Sequence, residues 1–159
     1  MPRPDPDIAF FFVVDALASL SVLVQLLAFI IAGLWLYFFV EAARQLNPEA
    51  RHEREAYWSF VGWIAPVVNL WFPYQVVRDA AAAVGARTRV LPWWWAGWIV
   101  TGVLAAAESV ALALSPDDLT PWLIVSAVLA VATLVTGVLW IRVVSAMTAA
   151  ARASITVEP

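Results

Sequence analysis

GWIAPVVNLWFPY, residues 62–74, is apolar enough to enter a membrane, yet Pro66, Asn69 and Pro73 fall within eight positions of it. Whether it crosses a bilayer or dips in and returns decides which side every later segment occupies. A helical Pro66 would free the carbonyl of Gly62, and Pro73 that of Asn69, because proline has no N–H for the acceptor four residues back. Backbone broken at membrane depth has to be satisfied by protein or trapped water. Asn69, whose amide both donates and accepts, is suited to tie such a break to a neighbouring helix. Gly62, Pro66 and Pro73 are thus read as a helix break, with Asn69 as its tether.

Composition sets the solvent. With 64% hydrophobic residues, a mean hydropathy of +0.84 and only 13% charged residues, the 159-residue chain is an integral membrane protein of one domain. The reading is all-α, with transmembrane helices at about 16–40, 93–114 and 122–146, each reaching the roughly 20 residues needed to cross hydrocarbon. The opening MPRPDPD is net acidic and the apolar run after it is too long for a cleaved leader, so the first helix is read as a retained anchor. The absence of cysteine excludes disulfides, thiolate metal sites and lipidation through cysteine. A net charge of −3 without a basic, aromatic-interleaved soluble segment excludes nucleic acid as a partner.

Between the spans, EAARQLNPEARHEREA, residues 41–56, reads as a solvated loop turning at Asn47-Pro48. Residues 74–85 read as an interfacial helix with Val77, Ala80, Ala81 and Val84 on one face, stopped by Gly85. In that reading Arg78 and Asp79 are a solvated pair. SPDDLTP, residues 115–121, is an acidic turn.

Arginine distribution chooses the topology, since short cytoplasmic loops retain positive charge. All nine basic residues are arginine. Four full crossings would divide them six against three; a segment at 57–72 that enters and leaves on one side divides them eight against one. Sixteen helical residues also cover only about 24 Å, short of a hydrocarbon core of about 30 Å. The favoured reading is a proline-broken re-entrant segment at 57–72, with the N-terminus outside and the C-terminus cytoplasmic; four full spans are the alternative.

Asn47-Pro48, Gly62-Trp63, Pro66, Asn69-Leu70-Trp71, Pro73, and Trp94-Trp95 with Trp98 form the pattern G-W-x-x-P-x-x-N-L-W-x-P followed by W-W-x-x-x-W. Over about residues 26–142 the chain resembles a family of small bacterial multi-pass membrane proteins catalogued only as a domain of unknown function. The resemblance implies a membrane fold and a bacterial cell-membrane location, and no activity. Such proteins look as if one more span precedes the first one here, and its loss would put the N-terminus outside while keeping the arginine-rich loop inside.

Few residues offer chemistry. Glu108, two turns from the end of its span, is a candidate proton relay or ion ligand; the plainer reading is a carboxylate paired with a polar group on another helix. Asn69 at the break is the other candidate for a polar site in the membrane. Trp93, Trp94, Trp95 and Trp98 read as an interfacial aromatic belt. His52 is the only histidine, so neither a His-pair metal site nor a His-assisted nucleophile can be assembled, and no cofactor is implied. Small residues at four-residue spacing, Gly102 with Ala106, Ser126 with Ala130 and Thr133 with Gly137, allow close helix approach within one chain or between copies. The expected function is a non-catalytic assembly or regulatory component, in contact with the bilayer and with a membrane or cytoplasmic protein through residues 41–92. The rival is a proton or ion channel or transporter subunit using Glu108 and Asn69.

Overall fold

A computed structural model describes residues 6–64, 67–115 and 118–156, and helices are the only regular elements among them. α1 runs Pro6–Leu46, α2 Trp58–Ile64, a single 3₁₀ turn Val68–Leu70, α3 Phe72–Ala83, α4 Leu91–Leu114 and α5 Thr120–Thr156. Three helices, α1, α4 and α5, are long and apolar enough to cross a membrane. Among the described residues α2 has seven, about 10 Å of helix, too short to serve as the fourth span of the alternative topology.

The predicted spans lie inside α1, α4 and α5, and these helices run past them. Glu41–Leu46, read above as loop, continues α1, and α5 extends to Thr156. Ala, Glu, Gln, Arg and Leu dominate the α1 extension, and such strong helix formers carry a helix on after the hydrocarbon ends. α1 stops where Asn47 N–H reaches the Ala43 carbonyl at 3.0 Å and Pro48 can offer no further donor. α3 stops at Gly85, whose φ of 69° suits glycine. There Gly85 N–H bonds Ala82 at 3.0 Å and Ala86 N–H bonds Ala81 at 2.8 Å, the paired bonds of a Schellman cap.

Trp58, which opens α2, and Phe72, which opens α3, lie together. The Trp58 ring stands edge-on to Phe72 at 4.6 Å. Between them Phe60 packs against Phe29 of α1 at 6.5 Å, and Gly33 makes room for its ring, since a Cβ there would lie 2.6 Å away. Phe29 is twelve residues before Glu41, about 18 Å along α1. A Cβ on Gly62 would meet the Phe72 Cβ at 3.4 Å and the Pro73 ring just beyond, ordinary contact distances, so this approach does not depend on glycine.

Of the two prolines in the expected break, Pro66 lies outside the described residues. Pro73 sits in the first turn of α3, where its missing N–H costs nothing, so it starts a helix and does not interrupt one. The turn is made instead at Val67, whose φ of 69° puts a β-branched residue in the left-handed region.

Packing is concentrated at one end. Leu36 and Val40 of α1, Val76, Val77, Ala80 and Ala81 of α3, Leu91 and Trp94 of α4, and Val143 and Met147 of α5 form the main buried cluster. The predicted α3 face, Val77, Ala80, Ala81 and Val84, is buried throughout. Here apolar side chains would otherwise meet water, and burying each one is worth about 1.5–3 kcal/mol. Further along α1, Leu23, Leu27 and Ile31 stay exposed, because lipid tails solvate them as well as a neighbouring helix would.

Val67 supplies a test of the turn. Val67→Gly removes the left-handed penalty and should stabilise the chain by about 0.5–1 kcal/mol net, read as a raised thermal midpoint in detergent. An unchanged or lower midpoint would show that Val67 carries no strain.

Candidate functional site

The loop at 47–57 is held against α3 by polar contacts that centre on Asp79. Only 7% exposed, the Asp79 carboxylate accepts the Glu53 backbone N–H at 2.9 Å through Oδ2. Through Oδ1 it accepts Arg78 Nε at 2.9 Å and Nη2 at 2.7 Å. Arg78 also reaches Glu53 at 3.2 Å. Of the pair expected to be solvated, Asp79 is therefore buried, because the loop folds over this face of α3 and supplies a donor to the desolvated carboxylate, while the Arg78 side chain stays 42% exposed. The contacts hold the Arg78 guanidinium, above all its hydrogen bond to Asp79, still higher than its ordinary range.

Three further ties complete a latch. Arg54 Nε donates to Gln75 Oε1 at 3.1 Å while its guanidinium covers the Phe72 ring at 3.9 Å. Arg44, near the end of α1, donates to Glu55 at 2.8 Å and to the Arg54 carbonyl at 2.7 Å. The Arg44 hydrogen bond pulls the Glu55 carboxyl below its usual value. Asn47 Nδ2 reaches the Ala83 carbonyl at 3.3 Å, joining the end of α1 to the end of α3. His52 sits half-buried in this layer with Nε2 unpartnered. Desolvation first, and then the Arg44 charge, hold its pKa below 6.5, against the opposing pull of Asp79, Glu41 and Glu55.

The candidates inside the membrane part do not converge. The Glu108 carboxylate accepts the Ser126 hydroxyl across the α4–α5 contact. Asn69 lies in the 3₁₀ turn, and its Oδ1 is buried without a partner among the described residues, so the expected tether is not formed there. A cleft of 620 Å³ opens between α1 and the α4–α5 hairpin, and neither Glu108 nor Asn69 lines it. The tryptophans of the predicted belt divide: Trp93 is 71% exposed, whereas Trp94 is buried to 3% and stacks on Trp140 at 4.8 Å. Trp63 of α2 is the hub for the rest, standing 6.2 Å from Trp95 and 4.9 Å from Trp98. Gly102 and Gly137 face open space, and the close approach of α4 to α5 occurs at Gly97, where a Cβ would lie 2.5 Å from Thr136 Oγ1.

Residues 8–149 match a family described as a domain of unknown function (DUF4328). The chain belongs to this family. No curated protein and no solved structure matches the chain. The family match takes in the latch, the cleft and all three long helices, and it brings no activity with it. Arg54, Gln75, Asp79 and His52 escaped the sequence reading as a group. Their only sequence signal is that HERE and QVVRD, both dense in charge, flank an apolar segment whose ends meet.

Two measurements probe the latch. Asp79→Asn keeps the shape but loses the charge-assisted bonds, at a cost of about 2–3 kcal/mol; hydrogen exchange of residues 47–57 should accelerate, and unchanged protection would show that the junction is not closed by Asp79. His52 gives a pH dependence of known sign. Its pKa is lower when docked than when free, so its contribution to docking is full above pH 6.5 and is lost as pH falls through the lowered value. The Glu55–Arg44 pair weakens separately, below the ordinary Glu55 value of 4.5. Between pH 7.5 and 5.5 the protection factors of the loop, corrected for the intrinsic exchange rate, should fall, and His52→Gln should flatten the profile.

Proposed function

We propose that this protein is a non-catalytic component of a bacterial cell membrane, with residues 41–92 as a cytoplasmic contact face for a protein partner. The carrying observation is the folded polar cap: its inner charges are paired within the latch, whereas Arg87 and Arg89 are exposed, as is Arg51, which at 87% exposure keeps a 3.5 Å contact to Glu53. A scaffold needs charge of this kind, held rigidly and left available to a partner. Eight of the nine arginines belong to residues 41–92 or the second half of α5, which favours that end as cytoplasmic and leaves the N-terminus outside. The touching ends of residues 58–72, together with the contact of Phe60 about 18 Å along α1 from Glu41, support a re-entrant segment. Pairing of Glu108 with Ser126, away from the cleft, speaks against a continuous polar path and hence against transport.

Orientation and contact are tested together. Ala50→Cys and Arg87→Cys should both resist an impermeant thiol reagent in intact cells, and labelling of either would reverse the assignment. A photo-reactive residue at Arg87 should give one discrete adduct that disappears when Arg51 and Arg89 become Glu; an adduct indifferent to those charges would remove the contact-face reading. Reconstituted in vesicles, the protein and its Glu108→Gln variant should show the same proton flux as empty vesicles.

A further inference from the structure

The cap holds together in two unequal ways. α3 is kept in place by apolar burial, with Val77 and Ala80 fully buried and Ala81 2% exposed. The loop that covers it has little of this kind, since Ala56 is the only buried residue among 47–57. Its two ends are fixed by contacts that involve no titrating group: Asn47 donates to the Ala83 carbonyl, and Trp58 stands edge-on to Phe72. Between these anchors the loop depends on polar ties, and a segment with few buried apolar contacts is one that opens locally before the rest.

His52 lies in that stretch, between Arg51 and Glu53. The groups that act on it come from every side: Glu41 and Arg44 from α1, Glu55 from the loop itself and Asp79 from α3. A neutral imidazole carries one proton, and with that proton on Nδ1 the buried Nε2 is bare and needs no acceptor. The imidazolium carries a proton on both nitrogens, and Nε2–H would then be buried with no acceptor among the described residues. Two of the nearby carboxylates are already engaged, Asp79 with Glu53 N–H and Arg78, and Glu55 with Arg44. Burial, and then the Arg44 charge, oppose the added proton further. Turning the ring out to water satisfies Nε2–H, and because His52 is flanked by Arg51 and Glu53 it takes the loop with it.

We propose that His52 is an acid-release pin for the cap: its protonation frees residues 48–57 from α3, while Asn47, Trp58 and α3 stay anchored, and so removes Arg51 from the face it shares with Arg87 and Arg89. The consequence for a partner rests on the contact-face reading; the release is a property of this chain alone.

The test uses the full chain in detergent, which has no cysteine of its own. Ala56→Cys puts one thiol in the loop and Ala81→Cys one on α3, at positions 4% and 2% exposed. Each is reacted with dithiodipyridine at pH 7.5 and 5.5, and the rate is divided by that of glutathione at the same pH. Ala56→Cys should lose protection on acidification, and Ala81→Cys should keep it at both values. Adding His52→Gln should abolish the loss. Adding Glu41→Gln should enlarge it, because Glu41 is one of the charges that favour the docked imidazolium. Reactivity of Ala56→Cys that does not change with pH, or a change that survives His52→Gln, overturns the pin. Equal loss at Ala81→Cys overturns the confined release, since the whole cap would then open. If His52→Gln loosens the loop already at pH 7.5, Glu41→Gln decides, and an acid response no larger than that of the parent overturns the assignment to His52. No partner takes part in these reactions, so their failure leaves the contact-face reading standing, and that reading fails by crosslinking alone.

Discussion

A carboxylate taken out of water must be met by donors, and Asp79 meets them by drawing the loop at 47–57 down over α3. That one requirement organises the cap. With Glu53 fixed on Asp79, Arg54 can span Gln75 and Phe72, and Arg44 can reach Glu55 from the end of α1. α3 is then clamped between the loop and the helices beneath it, with Val77 and Ala80 fully buried. α2 joins this clamp through Trp58, whose ring stands edge-on to Phe72, the ring that Arg54 covers.

The two halves of the molecule obey different energetics. In the cap, water is the competing solvent, so apolar burial and matched hydrogen bonds both favour folding, and the contacts are dense. Among the spans, lipid competes on equal terms for apolar surface, and the helices meet only where something specific joins them. Gly97 against Thr136, and Glu108 with Ser126, are such places between α4 and α5. Along Val22–Leu36, α1 stands off from α4 and α5 and leaves a cleft between them.

Several features could be read without coordinates because they follow from nearest-neighbour chemistry or from sums over a window. The three long apolar helices are a matter of hydropathy and length. Gly85 ends α3 because a left-handed position favours glycine, and the buried stripe Val77, Ala80, Ala81 and Val84 is plain helical spacing. Pro73 misled, since proline that interrupts a helix and proline that opens one look alike until the helix boundary is known. The tryptophan cluster misled for a related reason: a belt and a core draw on the same residue, and the hub, Trp63, is more than thirty positions from Trp94.

What the sequence determined by itself is the solvent and the segment lengths: hydrophobic content and uninterrupted apolar runs are additive quantities, and they decide membrane residence and the number of long helices. The tertiary structure decided everything that depends on two distant segments meeting. Asp79 is a solvated charge or a buried junction according to whether Glu53, twenty-six residues away, lies over it. Glu108 is an exposed acid or a paired one according to whether Ser126 faces it. Thr136 is an ordinary helix position until Gly97 lies against it and leaves its hydroxyl buried without a partner among the described residues. Desolvation is the common reason, because the cost of a polar group is set by what surrounds it and not by where it stands in the chain.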